Sequence, residues 1–181
     1  AGVAPEARLL ALRACRQASE ETVCTTLGLA LAIHAAIDRD AQVINLSLAG
    51  PADRLLEQLV RSALERGISV VAAADRALAS GGFPAALRGV VAVVDEAGGA
   101  APNGMVAAPG SDVPTTVPVS RWAVVSGSSY AAAHVSGLLA LMREARGPAR
   151  RAAAPAVSAD LVVGAGGRID ACTSLAHAGA A

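Results

Sequence analysis

Aromatic residues are nearly absent from this 181-residue sequence: they make up 2% of it, as one Trp, one Tyr and one Phe. A core of stacked rings is therefore excluded, and the 54% of hydrophobic residues must pack as Ala, Val, Leu and Ile in close-set helices and sheet. There is no charge of one dominant sign, since 15 basic residues balance 15 acidic ones. Without a basic run interleaved with aromatics, nothing asks for nucleic acid. The apolar stretches are short or broken by charge or Pro, below the ~20 residues of a membrane span, so a soluble protein is expected. Neither a methionine nor a charged-then-apolar leader opens the chain at Ala1. An export signal is expected to have been removed or to lie further upstream. No set of His, Cys or carboxylates has ligand spacing, so no metal is expected.

What remains is enough for one domain, residues 1–181, because a chain of this size buries roughly two-thirds of its unfolded surface. Three cysteines are present, Cys15, Cys24 and Cys172. The first two flank a polar loop and form either a local disulfide, in an exported protein, or free buried thiols. Arg8 to Ala14 reads as a short strand. A helix capped by Thr25 or Thr26 runs through Ile37, with Leu27, Leu31 and His34 on one face and Leu29, Ile33 and Ile37 on another. Val43 to Leu48 is a strand ended by Ala49-Gly50-Pro51. Leucines at helical spacing follow Asp53 until Gly67 stops the helix.

Ile68 to Ala73 and Val90 to Val94 are further apolar strands, and Gly104 to Gly110 holds a possible fifth. From Ser128 to Met142 an almost uncharged run is too long for a strand and reads as a buried helix. Pro148 to Pro155 is a loop or surface segment, and a last helix spans about Asp170 to His177. Strands alternating with helices predict an α/β fold, a parallel β-sheet flanked by helices.

Chemistry concentrates in Gly127-Ser128-Ser129-Tyr130-Ala131-Ala132-Ala133-His134-Val135-Ser136-Gly137. A serine at a helix N-terminus sits where open backbone N–H groups and the helix dipole favour developing negative charge. By itself this reads more readily as a Ser-rich cap on an ordinary buried helix. The segment resembles the Gly-Thr-Ser-Met-Ala-x-Pro-His-Val-x-Gly signature of subtilisin-like serine peptidases, the subtilases, and the resemblance maps Ser129 to the nucleophile. Four other segments agree in order and spacing: Gly2-Val3-Ala4-Pro5, Asn45 to Pro51, Ala107-Ala108-Pro109-Gly110, and Gly166 to Ala171. The resemblance spans essentially the whole chain and identifies it as the C-terminal portion of a subtilase catalytic domain.

Such a resemblance implies a partial subtilisin-like three-layer fold lacking the N-terminal strands. It also implies a peptide or protein substrate lying along Ser47, Leu48, Ala49 and Gly50, with Ala72, Ala73 and Ala74 as the facing wall and Gly127 and Ser128 beside the nucleophile. Small side chains on both walls imply an apolar slot that takes a hydrophobic side chain. Phe83-Pro84 matches a Tyr-Pro that is cis in the family. No cofactor is implied.

The family's base and its orienting carboxylate lie in His-Gly-Thr-His and Asp-Ser/Thr-Gly segments that this sequence does not contain. His34, His134 and His177 are not placed to replace them. Arg76, next to Asp75, stands where the family's asparagine donates to the oxyanion, and Ala133 replaces a proline. The implied function is a serine endopeptidase acting through a Ser129 acyl-enzyme, with the isolated chain inactive; the alternative is a noncatalytic module that binds peptides or a protein partner. The family's missing strand would lie between Arg8–Ala14 and Val43–Leu48. An N-terminal fragment, a second chain or self-association is expected to fill that slot. Export to the periplasm or outside the cell is the expected location. A third reading, a nucleotide loop at Leu161 to Gly167, is weak because Ile169 takes the place of the last glycine of the fingerprint.

Overall fold

The computed structural model describes residues 2–18, 21–102, 104–117, 119, 121–147 and 156–180. The predicted Pro148–Pro155 segment therefore lies outside the described residues. A four-stranded parallel sheet forms the middle layer, in the order β3 (Val43–Leu46), β4 (Ser69–Ala73), β5 (Val91–Asp95) and β6 (Val106–Ala108). Helices α1 (Thr26–Asp38) and α2 (Arg54–Glu65) cover one face, and α3 (Ser128–Ala145) and α4 (Ala171–Ala180) the other. Because both faces are covered, β4 is buried at every position and reads in the sequence as an uninterrupted apolar run.

Alternation along the strands divides the core in two. Val70, Ala72 and Ala92 face α1 and α2, whereas Val71, Ala73 and Val93 meet Ala131, Val135, Leu138 and Leu139 of α3. On α1 the Leu29, Ile33 and Ile37 face is the buried one, and Leu27 and Leu31 remain 66% and 60% exposed. Thr25 caps α1 by accepting from the Gly28 N–H at 3.1 Å. Asp53 caps α2 by accepting from Leu55 and Leu56, and the Thr26 hydroxyl donates to its other oxygen at 2.7 Å, which ties the two helix starts together. Gly67, with φ 74°, ends α2 in the left-handed region that glycine enters freely.

One expectation is corrected, a weak reading is set aside and one element is new. Arg8 to Ala14 belongs to no strand; pairing begins at Cys15, where β1 (Cys15–Ala18) and β2 (Glu21–Cys24) form an antiparallel hairpin closed by the Cys15–Cys24 disulfide. An extended segment becomes a strand only when a neighbour accepts its hydrogen bonds, and among the described residues none lies beside Arg8–Ala14. Leu161 to Gly167 does not form a strand, phosphate loop and helix: Ala165–Gly167 is a 3-10 turn, and Ile169 donates to the Ala107 carbonyl at the outer edge of β6. A second hairpin, β7 (Val113–Val117) with β8 (Arg121–Val125), was not foreseen, although Val113, Thr115 and Val117 alternate at period two. Among the described residues, no helix is long and apolar enough to cross a membrane.

Candidate active site

Ser129 occupies the first turn of α3, whose N-cap is Gly127 at φ 145°. A side chain at Gly127 would be strained there, and the Gly127 carbonyl accepts from the N–H groups of Tyr130 at 3.0 Å and Ala131 at 3.4 Å. The N–H groups of Ser128 and Ser129 are left as the open donors of the first turn. Beneath them the helix is buried through Ala131, Ala132, Val135, Leu138, Leu139 and Met142, which anchors the turn on β4 and β5.

Hydrogen bonds fix this turn to the end of β3. The Ser129 hydroxyl donates to the Ser47 carbonyl at 3.4 Å, and the Ser47 hydroxyl donates to the Ser129 carbonyl at 3.0 Å. Asn45 donates its amide to the Ser47 hydroxyl at 2.9 Å, and the Ser136 hydroxyl donates to the Asn45 side-chain oxygen at 3.2 Å. Beside Ser129 lies a pocket of about 350 Å³ lined by Leu48, Ala49, Ala73, Ala74, Val94 and Ser128, with three charged residues, Asp75, Arg76 and Asp95.

Of the residues expected to line a substrate cleft, Leu48, Ala49, Ala73, Ala74 and Ser128 meet at this pocket. Ala72 is buried in β4, Ser47 is the link to Ser129, and Gly50 donates to the Phe83 carbonyl at 3.0 Å. The Phe83–Pro84 bond is cis. The pocket is therefore more polar than the apolar slot expected from its two walls.

Arg76 is not turned to the nucleophile. Its guanidinium donates to the carbonyls of Ala100 at 2.6 Å, Asp95 at 2.7 Å and Gly99 at 3.3 Å. Planar donors in a fork suit several carbonyls on one loop, and that loop is what Arg76 finds. Asp75 accepts from the Ala77 N–H at 2.9 Å and so turns along its own chain. Asp95 was missed in the sequence, where it reads only as the polar end of an apolar strand. Partial burial pushes its carboxyl up, but hydrogen bonds from Ser111, Ala97 and Gly110, with Arg76 nearby, outweigh that and hold it below its usual range.

The histidines stand apart from the serine. His34 pairs with Asp38 at 3.5 Å on the exposed side of α1, and the His134 Nδ1 is 2.7 Å from the Pro109 carbonyl. Among the described residues no imidazole is hydrogen-bonded to Ser129.

This geometry has counterparts. The family model described as "Subtilase family" (Peptidase S8) matches residues 1–163. The chain belongs to the subtilase family. This subtilase chain is 35% identical over 177 residues to thermitase of Thermoactinomyces vulgaris, covering 92% of the chain and 62% of thermitase. It is 32% identical over 158 residues to the major intracellular serine protease of Bacillus subtilis, covering 79% of the chain and 49% of that protein. The chain thus spans less than two-thirds of the length of either relative. Among solved structures, the self-cleaved protease domain of PatA superposes with a TM-score of 0.71 at 26% identity, over 86% of this chain and 68% of that one. The prenylagaramide maturation protease PagA gives a TM-score of 0.74 over 90% of this chain and 70% of that one; at 24% identity that likeness shows the fold. At family level, then, the subtilase chain is a serine-peptidase homologue with an α/β subtilisin-like fold.

Proposed function

We propose that the chain is the nucleophile-bearing portion of a subtilisin-type serine endopeptidase, with Ser129 as the nucleophile. The observation that carries this reading is the position of the Ser129 hydroxyl: at the N-terminus of a buried helix, bonded to the end of β3, at the mouth of a pocket that takes a side chain. A peptide laid along Ser47 to Gly50 brings its carbonyl carbon to the Ser129 oxygen. Attack forms the new C–O bond and places negative charge on the carbonyl oxygen, which the open N–H groups of the α3 turn stabilise. The Ser129 proton must pass to a base and on to the leaving amine.

That base and its orienting carboxylate are assigned to a segment outside this sequence, because no imidazole here reaches Ser129. The free edge of β3 is where such a segment docks, since β3 has no strand on its outer side among the described residues. The partner is read as an N-terminal segment of the same protein, and the natural substrate as a peptide or protein. Export accords with the Cys15–Cys24 disulfide, since such bonds persist in oxidising compartments.

A second reading, a peptide-binding module that does not cleave, is favoured by one observation: Arg76 replaces the side-chain oxyanion donor and is committed to three carbonyls elsewhere. A fluorophosphonate probe separates the readings. The isolated chain is expected to label at Ser129 slower than the protein extended upstream by about a hundredfold to ten-thousandfold, the usual worth of a positioned base. Ser129→Ala abolishes labelling in both. Absence of labelling in the extended protein overturns the peptidase reading in favour of the module, and rapid labelling of the isolated chain overturns the need for a completing segment.

A further inference from the structure

The turn that presents Ser129 is held by a carboxylate that no motif singles out. Asp95 ends β5, and its Oδ1 accepts from the backbone N–H groups of Ala97 and Gly110, both at 3.1 Å. Its Oδ2 accepts from the Ser111 hydroxyl. Gly110 then accepts, through its own carbonyl, the N–H of Gly127 at 2.7 Å, and Gly127 is the N-cap of α3. From the other side the Arg76 guanidinium holds the Asp95 carbonyl and, through Gly99 and Ala100, the loop that follows it. A continuous run of hydrogen bonds therefore joins β4, β5 and the segment after β6 to the helix start that carries the nucleophile.

The packing along this run leaves little play. A Cβ added at Gly110 would lie 2.8 Å from the Gly127 carbonyl oxygen and 3.1 Å from the Asp95 Cβ. One added at Gly98 would lie 2.6 Å from the Arg76 Nε. Close approach to the Gly127 backbone requires glycine at 110, whereas a side chain at 98 would push against the Arg76 guanidinium. A carboxylate suits the centre because it accepts three donors with two oxygens and presents no N–H of its own.

We propose that Asp95 is a positioning residue for Ser129: it fixes Gly110 and Ser111, and through the Gly110–Gly127 bond it sets where the first turn of α3 stands against the pocket. Ionisation of Asp95 at neutral pH, favoured by its donors and by Arg76, keeps both oxygens as acceptors. The proposal rests on the reading of Ser129 as a nucleophile, but the mechanical link from Asp95 to Gly127 does not.

The test compares Asp95→Ala and Asp95→Asn in the protein extended upstream, with Asp170→Ala as control. Asp170 caps α4 through the same kinds of bond, accepting from the Thr173 N–H at 2.9 Å and the Thr173 hydroxyl at 2.8 Å. In Asp95→Ala, backbone amide exchange at Gly110 and Gly127 is expected to speed up at least about fivefold, as local opening becomes easier. Ser129 labelling by a fluorophosphonate is expected to slow at least about tenfold, short of the roughly hundredfold cost of a misplacement near 1 Å. With a peptide substrate the loss falls on kcat and leaves KM within about twofold, the pattern of a group that acts on the reacting geometry.

Asp95→Asn keeps one acceptor oxygen and is expected to fall between the two; it carries the same test if Asp95→Ala does not fold. Asp170→Ala lowers the melting temperature without moving exchange at Gly127 or the labelling rate. Unchanged exchange at Gly127 in a folded Asp95 variant overturns the proposal, as does faster exchange with an unaltered labelling rate. Failure of the parent protein to label sinks the peptidase reading instead, and the exchange data then decide the Asp95 link alone.

Discussion

On one side of Ser129 the sheet is closed: β4 and β5 each have strands on both flanks, and the outer edge of β6 is covered where Ile169 donates to Ala107. On the other side β3 ends the sheet among the described residues, and Arg8–Ala14 joins no strand. The same chain thus completes its hydrogen bonds where its own later segments return to the sheet, and leaves them open where no described segment does. Ser129 sits at the seam, bonded to β3 through Ser47 and packed on β4 and β5 through α3. The closed side sets its position, and the open side is where the proposed completing segment would dock.

The largest expected effect that bears on this division is in the closed core. Leu139→Ala, at a fully buried position of α3, should cost about 2–5 kcal/mol in denaturant unfolding. Leu9→Ala in the isolated chain should stay within about 0.5 kcal/mol, as an exposed site does, and should become costlier in the extended protein. Equal costs for Leu9→Ala in the two forms would remove the idea that the open side is a docking face.

Next in size is the hairpin on the open side. The Cys15–Cys24 bond closes a short loop, with a sequence separation of 9, so Cys15→Ser with Cys24→Ser should lower stability by about 2–3 kcal/mol if the hairpin unfolds with the rest. Thermal melting that is unchanged by the double substitution would mean that the open side unfolds independently of the closed one.

Acid should affect both sides. The carboxyls of Asp53 and Asp170 are held low by hydrogen bonds, from Thr26 foremost for Asp53 and from the Thr173 backbone foremost for Asp170, and Asp95 is also lowered. A carboxyl whose folded pKa is below its ordinary 3.8 binds its proton more readily when unfolded. Its stabilisation is therefore complete above that value and is lost as pH falls below it through the folded pKa. Melting temperatures measured from pH 6 downward should hold until about pH 4 and then drop, less steeply in Asp95→Asn. The smallest effect is expected at the exposed Arg61–Glu57 pair of α2, 2.7 Å apart, where Arg61→Ala should cost only about 0.3–0.5 kcal/mol in the same unfolding measurement.

Much of this arrangement is legible along the chain. The buried strands show as apolar runs, Thr25 and Asp53 mark helix starts by the chemistry of their side chains, and Gly67 marks a helix end. Ser129 stands out only because its segment and four others resemble the subtilase family in order and spacing; alone, the segment reads as a Ser-rich helix cap. Arg8–Ala14 misleads for a physical reason: a short apolar run suggests an extended segment, but a strand exists only when another strand lies beside it. Asp95 is silent because its partners are Ala97, Gly110 and Ser111, and its bonds to Gly110 and Ser111 join segments far apart in sequence.

The sequence by itself determined the layers, the helix that carries Ser129 and the small-residue walls of the pocket, because periodicity, capping and side-chain size act over a few neighbouring residues. Only the tertiary structure decided that Arg76 bonds the 95–100 loop instead of Ser129, that Asp95 joins that loop to Gly110, and that β3 is an edge among the described residues. Each of those depends on which carbonyl, carboxylate or strand the folded chain brings within hydrogen-bonding distance, and that is fixed by the packing of distant segments.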